Sequence, residues 1–388
     1  MKKYRQTAFI LLVFVQQLSA QDIHSSLNPL SPQLNPALTG MLRGDFTRRF
    51  QASHRSQWAA VMGNGAYSTT QGSYEHAIFV GNEDFIGLAV SGFYDQAGKM
   101  PLRQSQLNIN GSYIKNLGDF GRQKYVFLSG GFQAGMAWRR FDFSNIAWSE
   151  QFNGTGYNLN LPTGEAASLN DFPNRLYGDA GVGVALTYSD NNDANWRRGS
   201  LVWFNMGGSL LHIGGVLNTK TSNISAFRDS ISLLRERWSA HASAMFGVND
   251  GLYIIPTAFF TMQARAFQLN TGLHANIRWG SDSRVLAANA LQIGATMRFN
   301  RAAETNGLRL DAVIPTIRFD FGQFSFGASY DVNTSVLRQG SYGRGGFEFN
   351  FAWLWYRGND NGTGRGGGKY GNKRTPRKRG TVVCPANF

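Results

Sequence analysis

Residues 267–279 read Phe-Gln-Leu-Asn-Thr-Gly-Leu-His-Ala-Asn-Ile-Arg-Trp. Phe267, Leu269, Leu273, Ala275, Ile277 and Trp279 fall on odd positions; Gln268, Asn270, His274, Asn276 and Arg278 fall on even ones. A period of two means a strand with one oily and one wet face. Thirteen residues is long for a strand of a soluble domain and suits a tilted strand that crosses a membrane. The oily face ends in Trp279, as in an aromatic girdle. On this reading Gln268, Asn270, His274, Asn276 and Arg278 line a lumen.

The pattern recurs. About fourteen spans carry it: 44–58, 65–80, 84–97, 102–116, 124–143, 176–189, 198–213, 234–247, 252–263, 266–279, 288–299, 307–320, 323–334 and 345–356. Leu107, Ile109 and Tyr113 alternate with Gln106, Asn108 and Asn110, and Phe347, Phe349, Phe351, Trp353 and Trp355 share one face. One span changes phase: Leu308, Leu310 and Ile314 sit on even positions, Ile317, Phe319 and Phe321 on odd ones. Pro315 lies at the switch, which predicts a bulge there. The expected fold is an all-β transmembrane antiparallel barrel of about 14 strands over residues 43–356. Charged residues make up only 16%, against a usual share of about 25%, and Gly (46 residues) and aromatics (13%) are abundant, which favours a lipid-facing barrel over a soluble enzyme.

Lys2, Lys3 and Arg5, the apolar run Ala8 to Val15 and then Ala20 read as a signal peptide over 1–20. No later stretch approaches the roughly 18 apolar residues of a membrane helix. Even strand number puts both termini on the periplasmic side, so the long connections, 145–175 and 214–233, point outward and the tight turn at 321–323 points inward. Residues 21–42 form a Pro- and Asn-rich periplasmic segment, and 357–388 a flexible basic periplasmic tail. The formal charge of +14 contains +3 from Lys2, Lys3 and Arg5 and +7 from the tail, so the body is near +4 and its charge does not mark it as a nucleic-acid binder.

Catalytic and metal chemistry find little footing. The six histidines, His24, His54, His76, His212, His241 and His274, form no His-Glu-x-x-His pair, and no Gly-x-Ser-x-Gly elbow occurs. A Ser–His pair assembled in space stays open. Gly364-Arg365-Gly366-Gly367-Gly368-Lys369-Tyr370 imitates a phosphate loop, but Thr363 takes the place of the first Gly, and Tyr370 that of the Ser or Thr that would bind magnesium. No cofactor is expected. Lys373, Arg374, Arg377, Lys378 and Arg379 are either a solvated run or a dock for an acidic periplasmic partner or anionic headgroups. Cys384, the single cysteine, is a free tail thiol or half of an intermolecular disulfide. Asn28-Pro29 and Asn35-Pro36 carry turn chemistry, and their segment either only turns or plugs the periplasmic mouth. Tyr330, Asp331, Ser335 and Glu348 sit near the outer end of the last hairpin, where Asp331 and Glu348 either hold the loop closed or contact an exported partner.

Asn28-Pro29-Leu30-Ser31-Pro32-Gln33-Leu34-Asn35-Pro36-Ala37-Leu38-Thr39-Gly40 resembles the N-terminal segment of the PorP/SprF family of Bacteroidetes outer-membrane proteins. Arg55-Ser56-Gln57-Trp58 is similar to that family's Arg-Asn-Gln-Trp element, and Arg235-Glu236-Arg237-Trp238-Ser239-Ala240-His241-Ala242 to its mid-chain strand. Ser329-Tyr330-Asp331-Val332-Asn333-Thr334-Ser335-Val336-Leu337 with Gly345-Gly346-Phe347-Glu348, and the Cys384-Pro385-Ala386-Asn387-Phe388 ending, resemble its closing blocks. Ala386-Asn387 departs from the basic residue usual in the terminus, and Phe347 from a frequent polar one. The resemblance implies a non-enzymatic component of the type IX secretion system in the outer membrane. Its expected partners are outer-membrane lipid, other secretion components including periplasmic ones, and a large secreted adhesin, as in gliding. Without the resemblance, the residues fit equally a porin-like or fatty-acid-type transporter of small solutes.

Overall fold

The structure is a computed structural model that describes residues 31–42, 46–59, 63, 66–80, 84–98, 102–119, 124–141, 147, 149–161, 175–190, 201–213, 235–249, 251–264, 266–279, 289–301, 307–335 and 338–356. The signal peptide, Asn28, Pro29, the basic run Lys373 to Arg379 and Cys384 lie outside the described residues. Fourteen strands form one closed sheet: β1 Phe46–Gln57, β2 Tyr67–Val80, β3 Asp84–Ala97, β4 Leu102–Asp119, β5 Lys124–Phe141, β6 Arg175–Asp190, β7 Leu201–Leu211, β8 Arg237–Asn249, β9 Leu252–Gln263, β10 Ala266–Trp279, β11 Asn289–Arg301, β12 Arg309–Phe321, β13 Phe324–Asn333 and β14 Arg344–Tyr356. Each pairs antiparallel with its sequence neighbours, and β1 closes on β14. Closure leaves no strand edge, the condition a sheet must meet in lipid. No helix of the described residues is long and apolar enough to cross a membrane.

Alternation sorts the side chains. Leu107, Ile109, Phe132, Val184, Leu273 and Phe349 are all exposed on the outside. Asn270, His274 and Asn276 are buried on β10, while Gln268 and Arg278 are half-buried. The two longest connections, β5 to β6 and β7 to β8, leave the same end of the barrel, opposite the end where β1 begins and β14 finishes. We call the latter the terminal end.

Two findings correct the expectations. No bulge occurs at Pro315: it stays opposite Ala295, and β13 keeps one register from Val313↔Val332 to Thr316↔Ser329. A missing N–H removes a ladder bond but inserts no residue. The extra residue is Asp311, between Leu310 opposite Phe299 and Ala312 opposite Arg298. The phase change read from the sequence is therefore real, but it falls four residues earlier than expected. Ile314 disguised its position, because it points inward and is buried.

The second concerns the inner face, which is not uniformly wet. Near the terminal end Phe85, Ile114, Phe127, Trp203, Met245 and Ile255 point inward and form an apolar cluster. What they pack against is a piece of the chain itself: Ala37, Leu38 and Met41 belong to the same cluster.

Candidate functional site

Two constellations stand out inside the barrel. The first is the seat of residues 31–42. Asn35 precedes a 3-10 turn over Pro36–Leu38, and its Oδ1 accepts from the Ala37 N–H at 2.9 Å. This is the Asx turn that Asn-Pro predicts. Nothing is left over for solvent: Asn35 and Thr39 are wholly buried, as are Ala37 and Leu38. The Asn35 side-chain amide donates to the carbonyls of Val184 (3.0 Å) and Gly208 (3.2 Å), on β6 and β7. Ser209 Oγ donates to the Leu34 carbonyl and Ser112 Oγ to the Thr39 carbonyl, each at 2.6 Å. Gln33 Nε2 reaches the Gly92 carbonyl at 3.0 Å.

The wall is hollowed to receive the segment. A Cβ on Gly87 of β3 would stand 2.0 Å from the Thr39 oxygen, on Gly131 of β5 2.4 Å from the Pro36 carbonyl, and on Gly183 of β6 2.0 Å from Asn35 Oδ1. Gly40 has φ +71°, and a Cβ there would meet Gly87 Cα at 2.5 Å. At the foot of the segment, Glu75 Oε2 accepts from the Gly40 N–H at 3.1 Å. Its Oε1 takes Arg49 Nε (2.9 Å), Arg49 Nη2 (2.6 Å) and Gln51 Nε2 (3.0 Å). Glu75 thus ties the segment to the β1–β2 pair. Beneath it, His241 Nε2, Asn205 and Thr187 form a chain that ends at Met41 Sδ.

The second constellation lies at the other end, on the seam where the barrel closes. In the β1–β14 ladder Arg55 faces Glu348 and Gln57 faces Gly346. Arg55 Nη2 bonds Asp331 Oδ2, and Arg55 Nη1 lies 3.7 Å from Glu348 Oε2. Arg298 Nη1 reaches the same Asp331 oxygen at 2.8 Å, and its Nε binds Asp311 Oδ2 at 2.8 Å. Two guanidiniums and three carboxylates from β1, β11, β12, β13 and β14 are thereby joined, with Asp331 and Glu348 almost fully buried. The loop after β13 is tied to the same place: the amides of Thr334 and Ser335 donate to the Asp311 carbonyl at 2.9 and 3.3 Å. A Cβ on Gly345 would press 2.3 Å from the Asp331 carbonyl, so the β13–β14 contact is also glycine-dependent.

The residues singled out in the sequence divide cleanly. Arg55 and Asp331 come together across 276 positions of chain, with Glu348 beside Arg55. Trp58 joins them at the seam, its backbone N–H donating to the Gly345 carbonyl at 2.8 Å and its ring edge-on to Tyr67 at 5.3 Å. Ser335 holds the adjacent loop, while Tyr330 points outward, opposite Phe347. Asn35 and Pro36 are far from this group, in the lumen seat. Arg298, Asp311, Arg49, Glu75 and the wall glycines escaped the sequence reading. The signal available was polar or glycine residues on inward positions of strands that otherwise alternate, as with Arg298 in phase with Gln292 and Thr296. Among the described histidines, His212 Nδ1 pairs with Asp179 at 3.0 Å and His241 Nε2 with Asn205 at 2.8 Å. Among the described residues no group of three His, Cys, Asp or Glu side chains is placed to hold a metal ion.

A closed, lipid-faced sheet with a self-filled interior defines a membrane β-barrel. The family model described as type IX secretion system membrane protein PorP/SprF matches residues 20–353, and the chain belongs to that family. It is therefore an outer-membrane component of a secretion system, a role that implies contact with other components of that machine. No curated protein is a significant match. Solved structures similar to the chain include the toluene transporter TbuX of Ralstonia pickettii, at 10% identity, covering 86% of this chain and 96% of that one, with a TM-score of 0.44. A FadL homologue of Pseudomonas aeruginosa gives 10% identity, 86% and 95% coverage and 0.44, and CdiB of Acinetobacter baumannii 7%, 80% and 60%, and 0.42.

Proposed function

We propose that this barrel supports export or surface anchoring of a large secreted adhesin, without catalysis and without a cofactor, with both termini in the periplasm. The observation that supports this over a solute channel is the state of the interior. Asn270, His274, Asn276, Gln292, Thr296 and Arg298 are buried rather than lining a wet path, and residues 31–42 fill the space beside β3 to β7. A conducting lumen needs exposed polar walls.

On this reading, residues 1–20 are removed on export. The partner is held at the outer face, near the seam built from Arg55, Asp331 and Glu348, while the tail reaches the periplasm. There Lys373, Arg374, Arg377, Lys378 and Arg379 attract an acidic secretion component or anionic headgroups. The test is mass spectrometry of the tagged protein after gentle solubilisation. Recovery of a giant surface protein with type IX components is the expected result. Recovery of the barrel alone, with steady open-pore currents in planar bilayers, would replace this reading with that of a porin-like or fatty-acid-type transporter.

A further inference from the structure

We propose that the inner wall of β3 to β7 is a peptide-binding site, occupied in cis by residues 31–42, and that this occupancy is what closes the lumen. The inference is independent of which partner the barrel serves. Its ligand is an uncharged peptide folded into turns, with Asn-Pro at the centre and Thr-Gly near the end.

Three features make the wall a built site rather than incidental packing. Glycine inside a strand weakens it and marks the close approach of another backbone. Here Gly87, Gly131 and Gly183 stand on inward positions of three strands, and each would collide with a different residue of the segment if it carried a Cβ. The wall also supplies matched polar groups: Ser112 and Ser209 hydroxyls for the Thr39 and Leu34 carbonyls, and the Val184 and Gly208 carbonyls for the Asn35 amide. Finally, the recognition is specific. Asn35 acts as donor twice and acceptor once. Aspartate would set a charged acceptor against two carbonyls, and Gln would carry the amide one methylene too far. Gly40 needs both its positive φ and its missing side chain, because it lies on Gly87. Burial of Ala37, Leu38 and Met41 against Phe127, Trp203 and Ile255 completes the fit.

Planar-bilayer conductance tests the site, with three proteins: the full chain, the chain lacking residues 31–42, and full-length N35D. A synthetic peptide of residues 31–42 and its N35D counterpart are then added to the shortened barrel. The full chain should pass little current, and the shortened barrel, verified as folded by its heat-modifiable gel mobility, a steady one. The native peptide should close it, and the N35D peptide should need at least about tenfold more, as expected for the loss of buried hydrogen bonds. If the shortened chain does not fold, raised current through full-length N35D supports the proposal and unchanged current overturns it. Three other results overturn it: a full chain that conducts like the shortened one, a shortened barrel that stays closed, or two peptides that act alike.

Discussion

Replacing Asp331 with Asn removes one charge from the seam and little volume. Asp331 Oδ2 accepts from Arg298 Nη1 at 2.8 Å and also from Arg55. A hydrogen bond to a charged group contributes about 1.5–3 kcal/mol, so two of them set an upper range of about 3–6 kcal/mol. Neither guanidinium is stranded, because Arg298 keeps Asp311 at 2.8 Å and Arg55 keeps Glu348 at 3.7 Å. The expected loss is therefore about 3 kcal/mol, the low end of the range for breaking a buried ion pair. Asp311→Asn is the control. Its carboxylate has 21% side-chain exposure against 2% for Asp331, and it holds one arginine rather than two, so the loss should be about 1 kcal/mol. Urea titration of the barrel in lipid vesicles, followed by heat-modifiable gel mobility and Trp fluorescence, measures both. An Asp331→Asn midpoint equal to wild type, or a larger loss for Asp311→Asn, would refute the assignment of Asp331 as the hub.

Gly183→Val should drive residues 31–42 off the wall, since its Cβ alone would stand 2.0 Å from Asn35 Oδ1; limited proteolysis should then cut within that segment, which stays protected in the wild type. Leu273→Lys places a charge on the lipid face at the middle of β10 and should destabilise the barrel by about 2–4 kcal/mol, read by the same urea titration. Removal of residues 357–388 should leave barrel stability within about 0.5 kcal/mol while lowering the yield of copurified secretion components. Cys384→Ser should abolish any high-mass band on non-reducing gels, and identical mobility of the two proteins would remove the intermolecular disulfide.

The barrel was legible because lipid imposes one rule on every strand. All fourteen spans read from alternation have a counterpart in the sheet, and β3, β9 and β10 carry the expected limits. The rule says nothing about what fills the inside. Ile314 is apolar and inward, so it blurred the phase of β12, while the inward Tyr253 and Ile255 belong to an apolar layer whose reason is the segment packed on it. The seam was half legible. Arg55, Asp331 and Glu348 emerged from the family blocks, but Arg298 and Asp311 needed the fold, since neither local pattern nor spacing links β11 and β12 to β1. The wall glycines looked like ordinary strand glycines until Pro36 and Asn35 were seen against them.

The two constellations meet on β1. Its base carries Arg49, opposite Glu75 and tied through it to Gly40 of the lumen segment. Its far end carries Arg55, opposite Glu348 and bonded to Asp331. Sliding β1 along β14 by one residue would turn every side chain to the wrong face. Sliding it by two would preserve the faces but carry Arg55 away from Asp331 and Glu348, so the far end would lose its charge pairing, while Arg49 would keep Glu75 on β2. A seam with eleven paired positions and a buried ion cluster at one end is a poor place for a sheet to part. If residues 31–42 close the lumen as proposed, a route along it requires them to leave Val184, Gly208 and Ser209. If they never leave, the proposed holding of a secreted partner falls to the end of the barrel opposite the termini, where the Thr334 and Ser335 amides fix the loop after β13 to the Asp311 carbonyl.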